Sequence, residues 1–534
     1  MSISRNWPIR LLLTGVTIWS LFFSGPKKFN YPIYGAEDEK PSSLMRKFQH
    51  EADILLVDAY KKFRGGIFQL YTPDGVRLFL PRKYAQELKG YDREELSGMK
   101  ALADVSAKVL SYKYKGSNTG QRHLGQYTTI DHESPYMLNA IKLDLNQKLG
   151  ITSPVTGWYH RCYDNRAEEF VTDVQNEVAH VIDATFPTCE DWTPVNLNNL
   201  LLRIISQVSA RIFVGPSLNR NKEWLDLSEK FATDVMIGGE KLKGWRPILR
   251  PIAQYLIPEV RRIQADHEEA YQMLRPVLEA RDRAEAELGY EYKKPNDMLE
   301  WIRTRATKNN DKSVDYREQA NIQLLTATAA IHTTRLATLH VLFDLAARPE
   351  YIDPLREELR EVLSETNGVL TKQTLTHLKK LDSFMKESQR HNPPSLATFQ
   401  RKVLIPIKLS NGLELPVGVI VQCNTGVLDE VPESWGDPHA FDGFRFYRLR
   451  RKPEDAHKYQ FPSISLESME FGLGKDACPG RFFATNQIKI ILAHLIFHYD
   501  IALEKPEAGR PKNFMFEVNV LADPTAKLLL KRRN

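Results

Sequence analysis

The stretch FGLGKDACPGRFFA, residues 471–484, sets one cysteine between a glycine-bearing turn and the start of an apolar helix. Gly472 and Gly474 permit backbone geometries that a side chain would forbid, so amide N–H groups can point at the sulfur of Cys478. Pro479 suits the first helical turn, where no N–H is needed. A cysteine at a helix N-terminus has its thiolate favoured by the helix dipole, and a bound metal removes the thiol proton outright. Cys478 is therefore expected to be a metal ligand. The alternative is a buried cysteine in a tight turn.

Two other stretches bear on that choice. In LKKLDSFMKESQRHNPP, residues 378–394, a helical pattern carries Glu387 and Arg390 three apart on one face. Taken alone, this is equally an ordinary solvated ion pair. The run YREQANIQLLTATAAIHTTRLATLHVLFDLAA, residues 316–347, has no proline or glycine until Pro349 and is apolar around much of its girth, as a helix in the middle of a large domain must be.

Together these stretches resemble the cytochrome P450 superfamily. The cysteine stretch is similar to its haem-binding loop, FxxGxRxCxG: Phe471, Gly474, Cys478 and Gly480 match. Asp476 departs, standing where a basic residue usually faces a haem propionate. Like charges require it to point elsewhere or be protonated, and Lys475 beside it is the candidate substitute. Residues 378–394 resemble the ExxR helix, and FDGFRF, residues 441–446, the region that supplies a second arginine. The resemblance implies a structural triad, Glu387, Arg390 and Arg445, in which planar arginines fasten the loop before the cysteine to the core. Gly443 and Phe444 stand where the family commonly shows proline and glutamate.

Within the long helix, AAIHTT, residues 329–334, is similar to the oxygen-binding signature. Ala329 and Ala330 then make room beside the haem and Thr333 handles protons; alternatively the hydroxyl back-bonds to the preceding turn. His332 stands where most members carry an acid, which suggests a relay through His332 and Thr333, or else a histidine satisfied by a neighbouring helix. Arg401, between the ExxR helix and a strand pair, is a candidate propionate ligand or an exposed strand-edge arginine. The family's WxxxR is not found, since Trp158 and Arg161 have the wrong spacing.

The 534 residues, 42% hydrophobic and 26% charged, suffice for one large core with an appendage. Four cysteines (Cys162, Cys189, Cys423, Cys478) do not read as a disulfide framework, which suits a reducing compartment. A net charge of +6 without a basic, aromatic-interleaved stripe does not support nucleic-acid binding. LLLTGVTIWSLFF, residues 11–23, flanked by Arg5, Arg10, Lys27 and Lys28, reads as a short membrane segment; residues 7–25 reach a span if arginines snorkel. A cleaved secretory signal competes, but no small-x-small site follows. The expected organisation is an anchor over 1–25, a hinge or linker over 26–50 stiffened by Pro26 and Pro32, and a catalytic domain over 51–534.

IFQLYTPDGVRLFLP, residues 67–81, reads as a β-hairpin about Asp74-Gly75. Helices dominate residues 87–364, including two split by an Asn-Arg-Asn break within 195–240. Strands return over 401–424 and a last long helix over 479–499. The expected fold is mainly α, the P450 fold with small β-sheets, preceded by one transmembrane helix.

The resemblance implies heme b with Cys478 as axial thiolate and a monooxygenase fed from NADPH by a separate cytochrome P450 reductase, because no convincing dinucleotide fingerprint is present. It also implies a single-pass anchor in the endoplasmic reticulum membrane with a cytosolic body. DWTPV (191–195), SARIFVG (209–215), AAIHTT and CPGRFFA resemble fungal membrane-bound members that oxidise diterpenes and indole diterpenes, the group that includes ent-kaurene oxidase. A lipophilic specialised metabolite is the implied substrate class. The competing readings are a haem-thiolate isomerase or dehydratase that uses no dioxygen, and a non-catalytic haem-binding protein.

Overall fold

With no proline or glycine to interrupt it, Tyr316–Ala346 forms one helix of 31 residues, capped by the Asp315 carboxylate accepting from the backbone N–H of Glu318 at 2.8 Å. At about 1.5 Å per residue it is about 46 Å long. The computed structural model describes residues 29–73, 75–101, 134–146, 165–245, 249–311, 314–428 and 431–533. Helices Leu197–Phe213, Lys222–Lys243 and Pro258–Leu288 pack on the central helix and share its apolar core. The Asn-Arg-Asn break separates the first two: Asn221 leaves the loop as N-cap, accepting from Trp224 N–H at 2.8 Å. On another side lie Ile352–Ser364, the ExxR helix Lys379–His391, and the cysteine helix Arg481–His498.

The strands run, in chain order, β1 (Phe68–Thr72), β2 (Gly75–Leu80), β3 (Leu96–Ser97), β4 (Thr193–Val195), β5 (Ala397–Val403), β6 (Ile407–Lys408), β7 (Glu414–Leu415), β8 (Ile420–Asn424), β9 (Tyr499–Leu503), β10 (Phe514–Phe516), β11 (Asn519–Leu521) and β12 (Leu528–Arg532). They make four small sheets, the largest in the order β1-β2-β8-β5-β3. The hairpin β1/β2 closes at Thr72 opposite Gly75. In β5 buried and half-buried residues alternate, the mark of a strand with one face on the core. Its pairing with β8 shifts between Thr398 and Arg401, where Phe399 takes a left-handed φ of +54°. Such a bulge re-aims the following side chain, here Arg401.

The expected hinge over 26–50 is, from Phe29 onward, docked on the domain. Gln69 on β1 is fully buried; its amide donates to the carbonyls of Phe29 and Tyr31 at 3.0 and 2.5 Å, and its backbone N–H donates to Pro32 O at 2.8 Å. Helix Pro41–His50 then buries Leu44 and Phe48. Backbone groups removed from water need such partners, so this segment is part of the folded body. Among the described residues no helix is long and apolar enough to cross a membrane, and the anchor expected over 1–25 lies outside them. Asp74, Trp158 and Arg161 lie outside them too.

Candidate functional site

The cysteine loop is wound by its glycines. Gly472 and Gly474 have φ of +77° and +73°, and a Cβ on Gly474 would sit 2.8 Å from Lys89 Cβ and O. The turn closes through Gly472 N–H to Met469 O, Ala477 N–H to Gly474 O and Cys478 N–H to Phe471 O, at 2.8, 3.1 and 2.8 Å. Phe471 is held edge-on to Phe461, ring centroids 5.5 Å apart. The helix itself begins at Arg481 with Gly480 as N-cap, so Pro479 stands ahead of the cap and not in the first turn. The backbone N–H groups of Gly480 and Arg481 both donate to the Cys478 sulfur.

Burial pushes the Cys478 thiol up, and those N–H groups and the Arg481 charge only partly offset it. The thiolate expected from the helix dipole is therefore outweighed by desolvation. Without a metal the sulfur keeps its proton at neutral pH; a cation that displaces it reverses this. Although Cys478 lies deep in the domain, its surface is accessible. An atom both deep and accessible faces an internal hollow.

The central helix has a matching feature. Between Gln319 and Ala346 only Ala329 and Thr333 are exposed, with Ala330 half-buried beside them. They are four residues apart, on one face of a helix otherwise enclosed by protein. Thr333 Oγ1 donates to Ala329 O at 2.8 Å, the back-bonding arrangement, and this turns the hydroxyl's lone pairs outward as acceptors. His332 is largely buried, and its Nε2 has no hydrogen-bond partner. Burial first, then the charge of Arg335, push its pKa down to about 4, so the ring is neutral at physiological pH.

Glu387, Arg390 and Arg445 come together. Arg390 Nε and Nη2 donate to the two oxygens of the fully buried Glu387 at 3.0 and 2.8 Å, and Arg445 Nε lies 3.3 Å from both. The arginines' remaining N–H groups hold the loop before the cysteine: Arg390 reaches Pro438 O at 2.6 Å, and Arg445 reaches Trp435 O, Asp437 O and Ala440 O. Burial would raise the Glu387 pKa; the hydrogen bonds from Arg390 and His391, with the charge of Arg445, bring it below the usual carboxylate range. His391 Nε2 lies 3.4 Å from Glu387 Oε1 and is a member that sequence reasoning missed, although its i,i+4 spacing from Glu387 was a usable signal.

Arg401 is buried on β5, donating to Gln400 O at 2.8 Å and to Leu473 O in the cysteine loop at 3.0 Å. It is therefore not an exposed strand-edge arginine. Lys475 does not stand in for the missing base: its ammonium is at the surface, paired with Asp92 at 2.5 Å. Arg93 and Lys142 lie beside the loop instead, with no local pattern to announce them.

A single sulfur presented by two amides into a hollow fits a metal that brings its own equatorial ligands, such as porphyrin-bound iron. The family model for cytochrome P450 matches residues 161–530. The chain belongs to the cytochrome P450 family. It is 56% identical to the cytochrome P450 monooxygenase braC of Annulohypoxylon truncatum, over 97% of this chain and 95% of that protein. It is 34% identical to the monooxygenase olcJ of Penicillium canescens (99% and 96% covered) and 31% identical to paxP of Penicillium paxilli (91% and 87%). The fold matches a retinoic acid-bound cyanobacterial cytochrome, CYP120A1, with a TM-score of 0.64 at 17% identity over 92% of this chain and 96% of that one. This P450 is accordingly a relative of fungal cytochrome P450 monooxygenases, and an enzyme of that class.

Proposed function

We propose that this P450 is a membrane-associated monooxygenase that oxidises a lipophilic specialised metabolite of terpenoid or related class, with electrons passed from NADPH by a separate reductase. The observation that carries the reading is the pairing of an accessible, amide-directed sulfur deep in the domain with a central helix whose only exposed residues between Gln319 and Ala346 are Ala329 and Thr333. When bound, haem with a thiolate ligand supplies the dioxygen-activating chemistry. The chain's own residues do the rest. Cys478 holds the metal, and the Gly480 and Arg481 N–H groups withdraw charge from its sulfur. Ala329 and Ala330 leave room for cofactor and substrate, and Thr333 Oγ1 offers an acceptor for a proton on its way in. His332, neutral and with Nε2 unbonded, can take a proton at one ring nitrogen and release one from the other.

Several features support the finer points. The relatives are cytochrome P450 monooxygenases of fungi, and the sequence carries no convincing dinucleotide-binding fingerprint, which favours a separate reductase. Ile237, Trp245, Leu249, Ile252, Tyr255 and Leu256 are large exposed apolar side chains close in sequence, running from the C-terminal part of helix Lys222–Lys243 to the short helix Arg250–Leu256; they suit a face laid against the endoplasmic reticulum membrane that an anchor over residues 1–25 would reach. Co-expression with a reductase, followed by comparison of metabolites between intact and deleted strains, tests the proposal. An oxygenated product that depends on NADPH and dioxygen supports it. Turnover that persists without either makes the enzyme an isomerase or dehydratase.

A further inference from the structure

Asp476 is the residue that departs from the family pattern, and its surroundings are built around that departure. Its Oδ1 accepts from Arg93 Nε at 2.8 Å. Oδ2 accepts from the backbone N–H of Gly98 at 3.1 Å and lies 3.3 Å from Arg401 Nε. The carboxylate thus joins the segment around β3, strand β5 and the cysteine loop, three stretches far apart in sequence. Gly98 admits it: a Cβ there would stand 2.6 Å from Asp476 Oδ2 and 3.1 Å from Arg401 Nη1. The bulge at Phe399 is part of the same construction, since its left-handed backbone sets the ring 4.3 Å beneath the Arg401 guanidinium.

The charges do not cancel. Arg93, Arg401 and Lys142 face the single carboxylate of Asp476, while Lys475 is matched by Asp92. Three cations less one anion leave two positive charges beside the loop, and a haem carries two propionates.

We propose that Asp476 is an anionic clip that holds Arg93 and Arg401 against the cysteine loop, and that the cations so gathered, with Lys142, form the seat for the haem propionates in place of a basic residue at position 476. The inference rests on the haem-thiolate reading. It reverses the usual expectation for that position: restoring a base there is harmful, because a third guanidinium would meet Arg93 and Arg401.

The test uses the full-length holoenzyme and the variants Asp476→Asn, Asp476→Arg, Arg93→Gln and the Asp476→Asn/Arg93→Gln pair. Haem transfer to apomyoglobin, the thiolate fraction in the reduced carbon monoxide spectrum and thermal unfolding are measured for each. Asp476→Asn is expected to release haem about tenfold faster with the helical spectrum retained, and Asp476→Arg faster still. The paired variant is expected to be no worse than the poorer single, since the two groups act as one contact. Haem retention by Asp476→Arg equal to the unsubstituted protein overturns the clip. Should that variant not fold, additive effects of Asp476→Asn and Arg93→Gln overturn it equally. An unsubstituted protein with no thiolate band at all refutes the haem reading, a different result from either.

Discussion

The cysteine loop and the central helix face the same kind of hollow and are made in opposite ways. The loop is fixed by polar bonds: two amides on sulfur, two arginines on Glu387, two more on Asp476. The helix face is defined by what is missing, two alanines and a short hydroxyl at the one opening of a helix that is otherwise buried or half-buried from Gln319 to Ala346. Substitutions on the loop side should therefore cost folding and cofactor retention, and those on the helix side should alter turnover while leaving the protein intact.

The sharpest break is at the triad. Glu387→Gln leaves Arg390 and Arg445 buried without their counter-charge and should cost about 3–5 kcal/mol, seen as a lowered denaturation midpoint and loss of haem incorporation. Acid probes both regions. His267, His332, His340 and His494 are held neutral by burial, their pKa values pushed down to about 4, 4, 3 and 4 from 6.5. The unfolded chain protonates these rings below pH 6.5 and the folded one does not until the lowered values are reached. Stability should fall across that interval by up to about 1.4 kcal/mol per pH unit for each histidine, measurable by denaturation at a series of pH values. Glu387, with its pKa lowered, holds its contribution above the carboxylate range and loses it only at still lower pH.

On the helix side, Thr333→Ala should leave the melting temperature nearly unchanged while product formed per NADPH consumed falls about tenfold or more. His332→Ala should uncouple the reaction less, by a few-fold, and an unchanged ratio removes His332 from the proton route. Lys475→Ala should do least, because an exposed ion pair is worth about 0–1 kcal/mol; an unaltered haem spectrum is the expected result.

Local pattern made much of this legible. The central helix ends where Pro349 requires, and the hairpin, the Asn-capped helix at Lys222 and the cysteine helix lie within a few residues of their expected bounds. Glu387, Arg390 and Cys478 sit in short spacings that a chain displays whatever surrounds them. Partners brought together by the fold were not legible: Arg93 and Gly98 meet Asp476 nearly four hundred residues away, and Arg401 is aimed by a bulge that no propensity announces. Residues 29–34 read as part of a hinge because their anchor, Gln69, is a single glutamine in a distant strand that no local pattern pairs with them.

The account stands on the bond between Cys478 and haem iron. The reduced carbon monoxide complex of the purified full-length protein, beside that of Cys478→Ser, examines it most directly. A thiolate-type Soret band in the first that is absent from the second is the predicted result. The same band in both, or in neither, would contradict it.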